Sequence, residues 1–305
     1  VIEAILLSIA GLIGLAIGGE FLVKGAVGMA QRLGVSHLVT GLVIVGFATS
    51  MPEMVASVQA VLSGSPQLAW GNIAGSNIAN SMLILGATAL IAPIVLTGTG
   101  RRDAVVGLVV SGVVLAIGIA QFASVWIGIA LLVLLASYII WRYRHPRSED
   151  EGDEHDLPSW MRAIVFFALG LALLVGGGKL LVDGAIDLAR LVGISETVIG
   201  LTIVAIGTSL PELAASIAAA LRGKSGLALG NVVGSNIYNL LLIGGVTMIL
   251  APTPPPASLN DLEWPLVVAT ALMILLLFWF ASRILRWMGA VLLALYIAFN
   301  VFLFA

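Results

Sequence analysis

The chain has 305 residues, of which 60% are hydrophobic and 10% charged, with no cysteine and a mean hydropathy of +1.13. A soluble domain carries about a quarter charged residues, so an ordinary water-soluble enzyme is excluded. The net charge of -2 offers no basic footprint for nucleic acid. Without cysteine there are no disulfides and no thiolate metal or redox sites, although this identifies no compartment.

The predicted elements are helices throughout. Apolar runs able to cross a bilayer of about 20 residues' span cover 2–30, 37–63, 67–95, 104–121 and 124–141. A second group covers 160–190, 196–221, 227–251, 263–282 and 287–305. The fold class is therefore an all-α polytopic membrane protein of ten transmembrane helices. The hydrophilic stretch Arg142–Ser159 divides the chain into a first five-span repeat (1–141), a charged linker (142–159) and a second five-span repeat (160–305). The first span lacks a charged n-region and an A-x-A site, so it reads as a retained helix.

Ten spans put Arg32, Arg101, Arg102, Arg142, Arg144, Arg147, Arg162, Arg222, Lys224, Arg283 and Arg286 on one side and Arg190 on the other. Cytoplasmic loops are the ones rich in Lys and Arg. Both termini are therefore expected outside and the linker in the cytoplasm.

Shifting the sequence by 159 residues aligns Gly18–Pro93 with Gly177–Pro252 without a gap, with 38 of 76 pairs identical. GLVIVGFATSMPEMVAS (41–57) falls on GLTIVAIGTSLPELAAS (200–216), and GNIAGSNIAN (71–80) on GNVVGSNIYN (230–239). The copies lie five spans apart, an odd number, and so enter the membrane from opposite sides. Such inverted repeats are typical of secondary transporters.

The best-matched columns include polar residues in mid-span. Glu53 and Glu212 each follow a threonine by four residues, Thr49 and Thr208, and a buried carboxylate at that depth faces the bundle interior with a partner. Pro52 and Pro211 each remove a backbone donor and are expected to free a carbonyl, Gly46 or Ala205, on the preceding turn. Ser76 with Asn80 and Ser235 with Asn239 are spaced i, i+4, so each pair shares a helix face. These are all oxygen donors, which suit hard cations such as Ca²⁺ and Na⁺ and argue against zinc or copper. Asn72, Asn77, Asn231 and Asn236 have a structural role available as caps of helix breaks. The alternative for the whole set is interhelical glue, with each glutamate paired to Lys24 or Lys179.

The ATSMPE and GTSLPE segments, each followed by GN-x-x-GSN-I-x-N, resemble the two alpha-repeats of the cation/calcium exchanger superfamily, and specifically its prokaryotic sodium/calcium exchangers. The resemblance covers essentially the whole chain. It implies four cation sites clustered at mid-membrane. Glu53 and Glu212 would hold the central calcium with Thr49, Thr208 and the Gly46 and Ala205 carbonyls. Flanking sodium sites would add Ser50, Ser209, Ser76 and Ser235, with Asn80 and Asn239 at the middle position. Many relatives have Asp where Asn239 stands, and its absence argues against potassium co-transport. The implied protein is an integral antiporter of a prokaryotic cell membrane. It is not an enzyme, uses no cofactor and needs no obligate protein partner; its partners are membrane lipid and the ions Ca²⁺ and Na⁺.

A proton-coupled calcium exchanger is the nearest rival, since paired carboxylates can trade calcium for protons. The neutral Ser and Thr oxygens favour sodium. A passive channel or a membrane-embedded enzyme finds less support in the repeat and its residues. Gly223-Lys224-Ser225 and the GGGKL of 176–180 lack the strand and spacing of a phosphate loop. Glu20/Lys24 and Lys179/Asp183 read as i, i+4 neutralising pairs. His37, His145 and His155 read as loop residues, and Glu149–Asp156 as a solvated run without calcium-loop spacing.

Overall fold

The computed structural model describes residues 2–96, 100–144, 159–193 and 205–304. Its helices are α1 (Ile2–Leu33), α2 (His37–Thr49), α3 (Met51–Leu62), α4 (Pro66–Ile91), α5 (Arg101–Ala120), α6 (Val125–Arg144), α7 (Trp160–Leu191), α8 (Leu210–Leu221), α9 (Ser225–Leu250), α10 (Glu263–Phe280) and α11 (Arg286–Phe304). Two-residue strands β1 (Ile94–Val95) and β2 (Arg283–Ile284) pair antiparallel, Ile94 opposite Ile284. Among the described residues eight helices are long and apolar enough to cross a membrane. A ninth crossing results if α2 and α3, bent by 42° at Ser50, form one span. The expected span 196–221 is described only from Ala205 onward, as a turn at Ala205–Gly207 followed by α8.

Helices α4 and α9 form the buried centre, whereas the other spans turn much of their apolar surface outward. Exposed Leu6, Trp126, Val133, Phe280 and Phe302 suit lipid contact, where helices satisfy their own backbone groups. Glycine ends the helices in repeat-related pairs. Gly34 and Gly193 follow α1 and α7, and Gly64 and Gly223 follow α3 and α8, all with φ between 63° and 82°. Lacking Cβ, glycine enters this left-handed region without steric cost. Gly223 of the apparent phosphate-loop fragment is therefore a helix terminator.

Helices α1 and α7 lie antiparallel, backbone against backbone. A Cβ on Gly11 would come 2.5 Å from the Leu181 nitrogen, one on Gly25 2.3 Å from Phe167, and one on Gly170 2.3 Å from Leu22. Helices α2 and α9 approach just as closely but run parallel, Gly230 meeting Leu38 and Gly234 meeting Leu42. Glycines thus set these close helix contacts, as small residues do in lipid; the repeat mates of Gly230 and Gly234, Gly71 and Gly75, meet no atom within 4 Å.

Three connections converge on one end of the bundle. Besides the β1–β2 pair, the Val95 amide donates to Ser225 Oγ (3.1 Å), Arg101 Nε to the Phe278 carbonyl (2.9 Å) and Arg286 to the Ile91 carbonyl (3.4 Å). Arg101, Lys224, Arg283 and Arg286 accordingly gather there.

Several sequence expectations change. Arg142 is not the start of an exposed linker: α6 continues to Arg144, and Arg142 is buried with its Nε 3.0 Å from Asp103 Oδ1. The Tyr138 hydroxyl donates a hydrogen bond to the same oxygen at 2.8 Å. A buried guanidinium needs such a partner, and Asp103 sits on the neighbouring helix. At the other boundary Ser159 caps α7, accepting the Arg162 amide at 3.2 Å. Arg147, His145, His155 and Glu149–Asp156 lie outside the described residues. Lys24 pairs with Glu20 (3.0 Å), which also binds Arg222 of the turn after α8. Lys179 and Asp183 are exposed on α7, and neither forms the expected ion pair within 4.0 Å.

Gly170→Ala should loosen the α1–α7 contact and lower the melting temperature in detergent, since overpacking costs about 1–3 kcal/mol. Gly176→Ala on the same helix, where a Cβ meets no atom within 4 Å, should melt like the parent. Equal melting of the two variants would refute this packing.

Candidate functional site

The prolines begin helices; they do not interrupt them. Pro52 and Pro211 occupy the first turn of α3 and α8, where a missing N–H costs nothing. Ser50 (φ -80°, ψ 4°) and Ser209 (φ -92°, ψ 5°) form the breaks just before them. Each break leaves a glutamate in the first turn of the following helix, a position favourable for negative charge.

The two breaks face each other across the repeats. Ser50 Oγ lies 3.5 Å from Glu212 Oε1, and Ser209 Oγ lies 3.4 Å from Glu53 Oε1. These long, reciprocal contacts bring both carboxylates to one centre. Both glutamates are 2% exposed, and in each the second oxygen, Oε2, is buried without a hydrogen-bond partner. The alternative of pairing with Lys24 or Lys179 is excluded, because both lysines are at the bundle exterior.

Asparagines clamp the broken helices from behind. Asn72 Nδ2 donates to the Glu53 carbonyl (3.2 Å) and to Ser57 Oγ (2.9 Å). Its repeat mate Asn231 does the same with the Glu212 carbonyl (3.1 Å) and Ser216 Oγ (2.9 Å). Thr49 Oγ1 lies 3.0 Å from the Val45 carbonyl and 3.1 Å from Asn231 Oδ1. Its one proton is therefore directed at protein acceptors, which leaves oxygen lone pairs for a cation. Ser57 and Ser216, both fully buried, were missed in the sequence reading. Their signal was identity between the repeats at an apolar helix interior.

The remaining candidates occupy distinct positions. Ser76, Asn80, Ser235 and Asn239 are buried on α4 and α9. Asn80 and Asn239 fall in wide π-helical turns, Ala79–Ile84 and Asn239–Ile243, a feature frequent at functional sites. Asn239 Oδ1 has no partner. The Gly46 carbonyl is not free as expected, since it accepts the Ser50 amide at 3.2 Å and the Ser235 hydroxyl at 3.5 Å. In the second repeat the Ser209 amide donates instead to Ile206, the residue after Ala205. The repeats differ in access as well, Thr49 being fully buried and Thr208 partly exposed. Tyr238 replaces the Ala79 of the first repeat. It donates to the Val43 carbonyl (3.1 Å) and meets Phe47 edge-on at 5.5 Å.

Two carboxylates and many neutral oxygens, held at broken helices inside a membrane bundle, define a cation transporter. The sodium/calcium exchanger protein family model matches residues 3–144 and 162–305, and the chain belongs to that family. It is 38% identical over 294 residues to an uncharacterised membrane protein of Methanocaldococcus jannaschii, covering 94% of this chain and 93% of the relative. It is 31% identical over 342 residues to the sodium/calcium exchanger MaX1 of Methanosarcina acetivorans, covering 98% of each. The solved structure of the sodium-calcium exchanger NCX_Mj superposes with a TM-score of 0.87 at 35% identity, over 98% of each chain.

Asn231→Ala should strand the Glu212 carbonyl and Ser216. Loss of buried hydrogen bonds costs about 1–3 kcal/mol, so the apparent calcium affinity of reconstituted protein should fall about tenfold or more. Unchanged calcium dependence of uptake would show that the clamp does not position the carboxylate.

Proposed function

We propose that this Na⁺/Ca²⁺ antiporter works through one shared cation cluster around Glu53 and Glu212, exposed alternately to the two sides of the membrane. The observation that carries the reading is the pair of reciprocally linked, buried carboxylates, each with an unpartnered oxygen. A buried carboxylate oxygen without a hydrogen-bond partner calls for a ligand or a water to complete it, and here two such oxygens belong to carboxylates brought to one centre. In this reading Glu53 and Glu212 bind calcium with Thr49 and Thr208 and with the Gly46 and Ala205 carbonyls. Sodium takes the flanking positions with Ser50, Ser209, Ser76 and Ser235, and Asn80 and Asn239 hold the middle. The Gly46 carbonyl reaches a cation only by giving up or sharing its Ser50 and Ser235 donors, so its part in binding accompanies a local shift.

Two carboxylates are neutralised by one Ca²⁺ or by two Na⁺; a third Na⁺, as the four clustered sites imply, leaves the sodium-loaded site one charge positive, so exchange carries net charge. A full sodium complement together with Ca²⁺ would place like charges a few ångströms apart in a poorly solvated site, where repulsion is strong. Occupancy is therefore exclusive, and exclusion couples the two fluxes. The neutral hydroxyls around the glutamates favour sodium over the proton, which requires none of them. With asparagine at both 80 and 239 the cluster has no further carboxylate for potassium.

The architecture we infer is ten spans in two inverted halves, with α2–α3 as one broken span and the segment ending in α8 as its counterpart. The antiparallel α1–α7 pair and the parallel α2–α9 pair support it, since both directions follow from an inverted duplication. By the positive-inside rule the end that gathers Arg101, Lys224, Arg283 and Arg286 faces the cytoplasm, with the linker. Both termini then lie outside. The prokaryotic origin of the M. jannaschii and M. acetivorans relatives supports a prokaryotic cell membrane.

Glu53→Gln and Glu212→Gln should each abolish calcium uptake into sealed vesicles while leaving the protein inserted. Near-normal exchange by either would refute the site. Wild-type exchange should be electrogenic, need no potassium and follow an imposed sodium gradient; uptake that follows a proton gradient alone would favour the proton-coupled rival. Shortening the linker between Ser148 and Asp156 should leave basal exchange intact.

A further inference from the structure

Behind the cation cluster, helices α4, α5, α9 and α10 enclose a cavity of about 20 Å³ lined by Asn77, Ser111, Val233, Asn236, Val267 and Ile274, among others. Asn77 and Asn236 are repeat mates, 159 positions apart, at 2% and 9% exposure. Both carry a buried Oδ1 without a hydrogen-bond partner. Asn77 Nδ2 donates to the Ile73 carbonyl at 2.7 Å, an acceptor with no proton to give, so its amide orientation is fixed and its oxygen is the orphan. Asn236 Nδ2 faces Ser81 Oγ at 2.9 Å. The repeat mate of Ser81 is Leu240, so the mirror bond from Asn77 cannot form. Ser111 Oγ donates to the Gly107 carbonyl at 2.8 Å and presents only lone pairs to the cavity.

We propose that one resident water molecule occupies this cavity and donates its two protons to Asn77 Oδ1 and Asn236 Oδ1. A water needs about 10–15 Å³ of such space and two to four polar partners, and both conditions are met. The lining is uncharged, so a cation here would lack the counter-charge that makes burial in a membrane tolerable. The water supplies the link between α4 and α9 that Leu240 cannot. Asn77 stands one turn from Asn80, and Asn236 one turn from Asn239. The bridge therefore holds the two ligand-bearing helices in register from behind. Asn77 and Asn236 act in this as positioning residues, whichever ions the cluster exchanges.

The direct test is a crystal structure at a resolution that shows ordered water, from native and thallium(I)-soaked crystals. Density within about 2.5–3.0 Å of both Oδ1 atoms, with no anomalous thallium signal, is expected. An empty cavity, or a thallium peak in it, would overturn the assignment. Melting of Asn77→Leu, Asn236→Leu and the double variant gives a second reading. A shared water is lost in either single variant, so the double variant should lose less than the sum of the two shifts. Strictly additive shifts would contradict a bridge.

Discussion

Burying two carboxylates inside a lipid-embedded bundle is the constraint on which the rest of this structure depends. Isolated charges there are expensive, and among the described residues no Lys or Arg forms an ion pair with Glu53 or Glu212 to repay the cost. Their first oxygens take hydroxyl contacts from the opposite repeat, Ser209 for Glu53 and Ser50 for Glu212. Their second oxygens take none. In the function proposed above a cation completes this centre, and the identity of that cation is open to competition. The helix breaks at Ser50 and Ser209 bring the two carboxylates to this point, and the asparagine clamps satisfy the Glu53 and Glu212 carbonyls behind them.

The duplication explains how one chain encloses such a centre. Each half contributes a helix that begins just after a break, α3 after Ser50 and α8 after Ser209, and one long buried helix, α4 or α9. Close approach in the α1–α7 and α2–α9 pairs is obtained from glycines that leave no room for a Cβ. Where the halves differ, the site loses symmetry. Tyr238 meets Phe47 where the first repeat has Ala79, and Thr208 is partly exposed where Thr49 is buried. Charged contacts are unequal too: Glu20 binds Lys24 and Arg222, whereas its repeat mate is Lys179, exposed on α7.

Much of this was legible in the sequence because it was written twice. The helical class followed from hydropathy, and the polar columns stood out because Thr49, Ser50, Glu53, Asn72 and Asn80 each have an identical mate 159 residues on. What escaped was geometry that spacing does not encode. Proline was expected to break a helix from within, yet Pro52 and Pro211 each start one, a position where the missing donor carries no penalty. Gly46 was expected to present a free carbonyl, but its oxygen takes donors from Ser50 and from Ser235, the latter 189 positions away. Arg142 looked like linker because the charge run begins there; its partner Asp103 is 39 residues earlier on a neighbouring helix. Long-range partners of this kind leave no local pattern.

The claim that the two ions share one centre is tested most directly by equilibrium binding of calcium to the purified protein at increasing sodium. Sodium should displace calcium completely, raising its apparent dissociation constant without a plateau and with a slope steeper than one sodium per calcium. Calcium that stays bound at saturating sodium would mean separate centres, and would contradict a mechanism in which exclusion at Glu53 and Glu212 couples the fluxes.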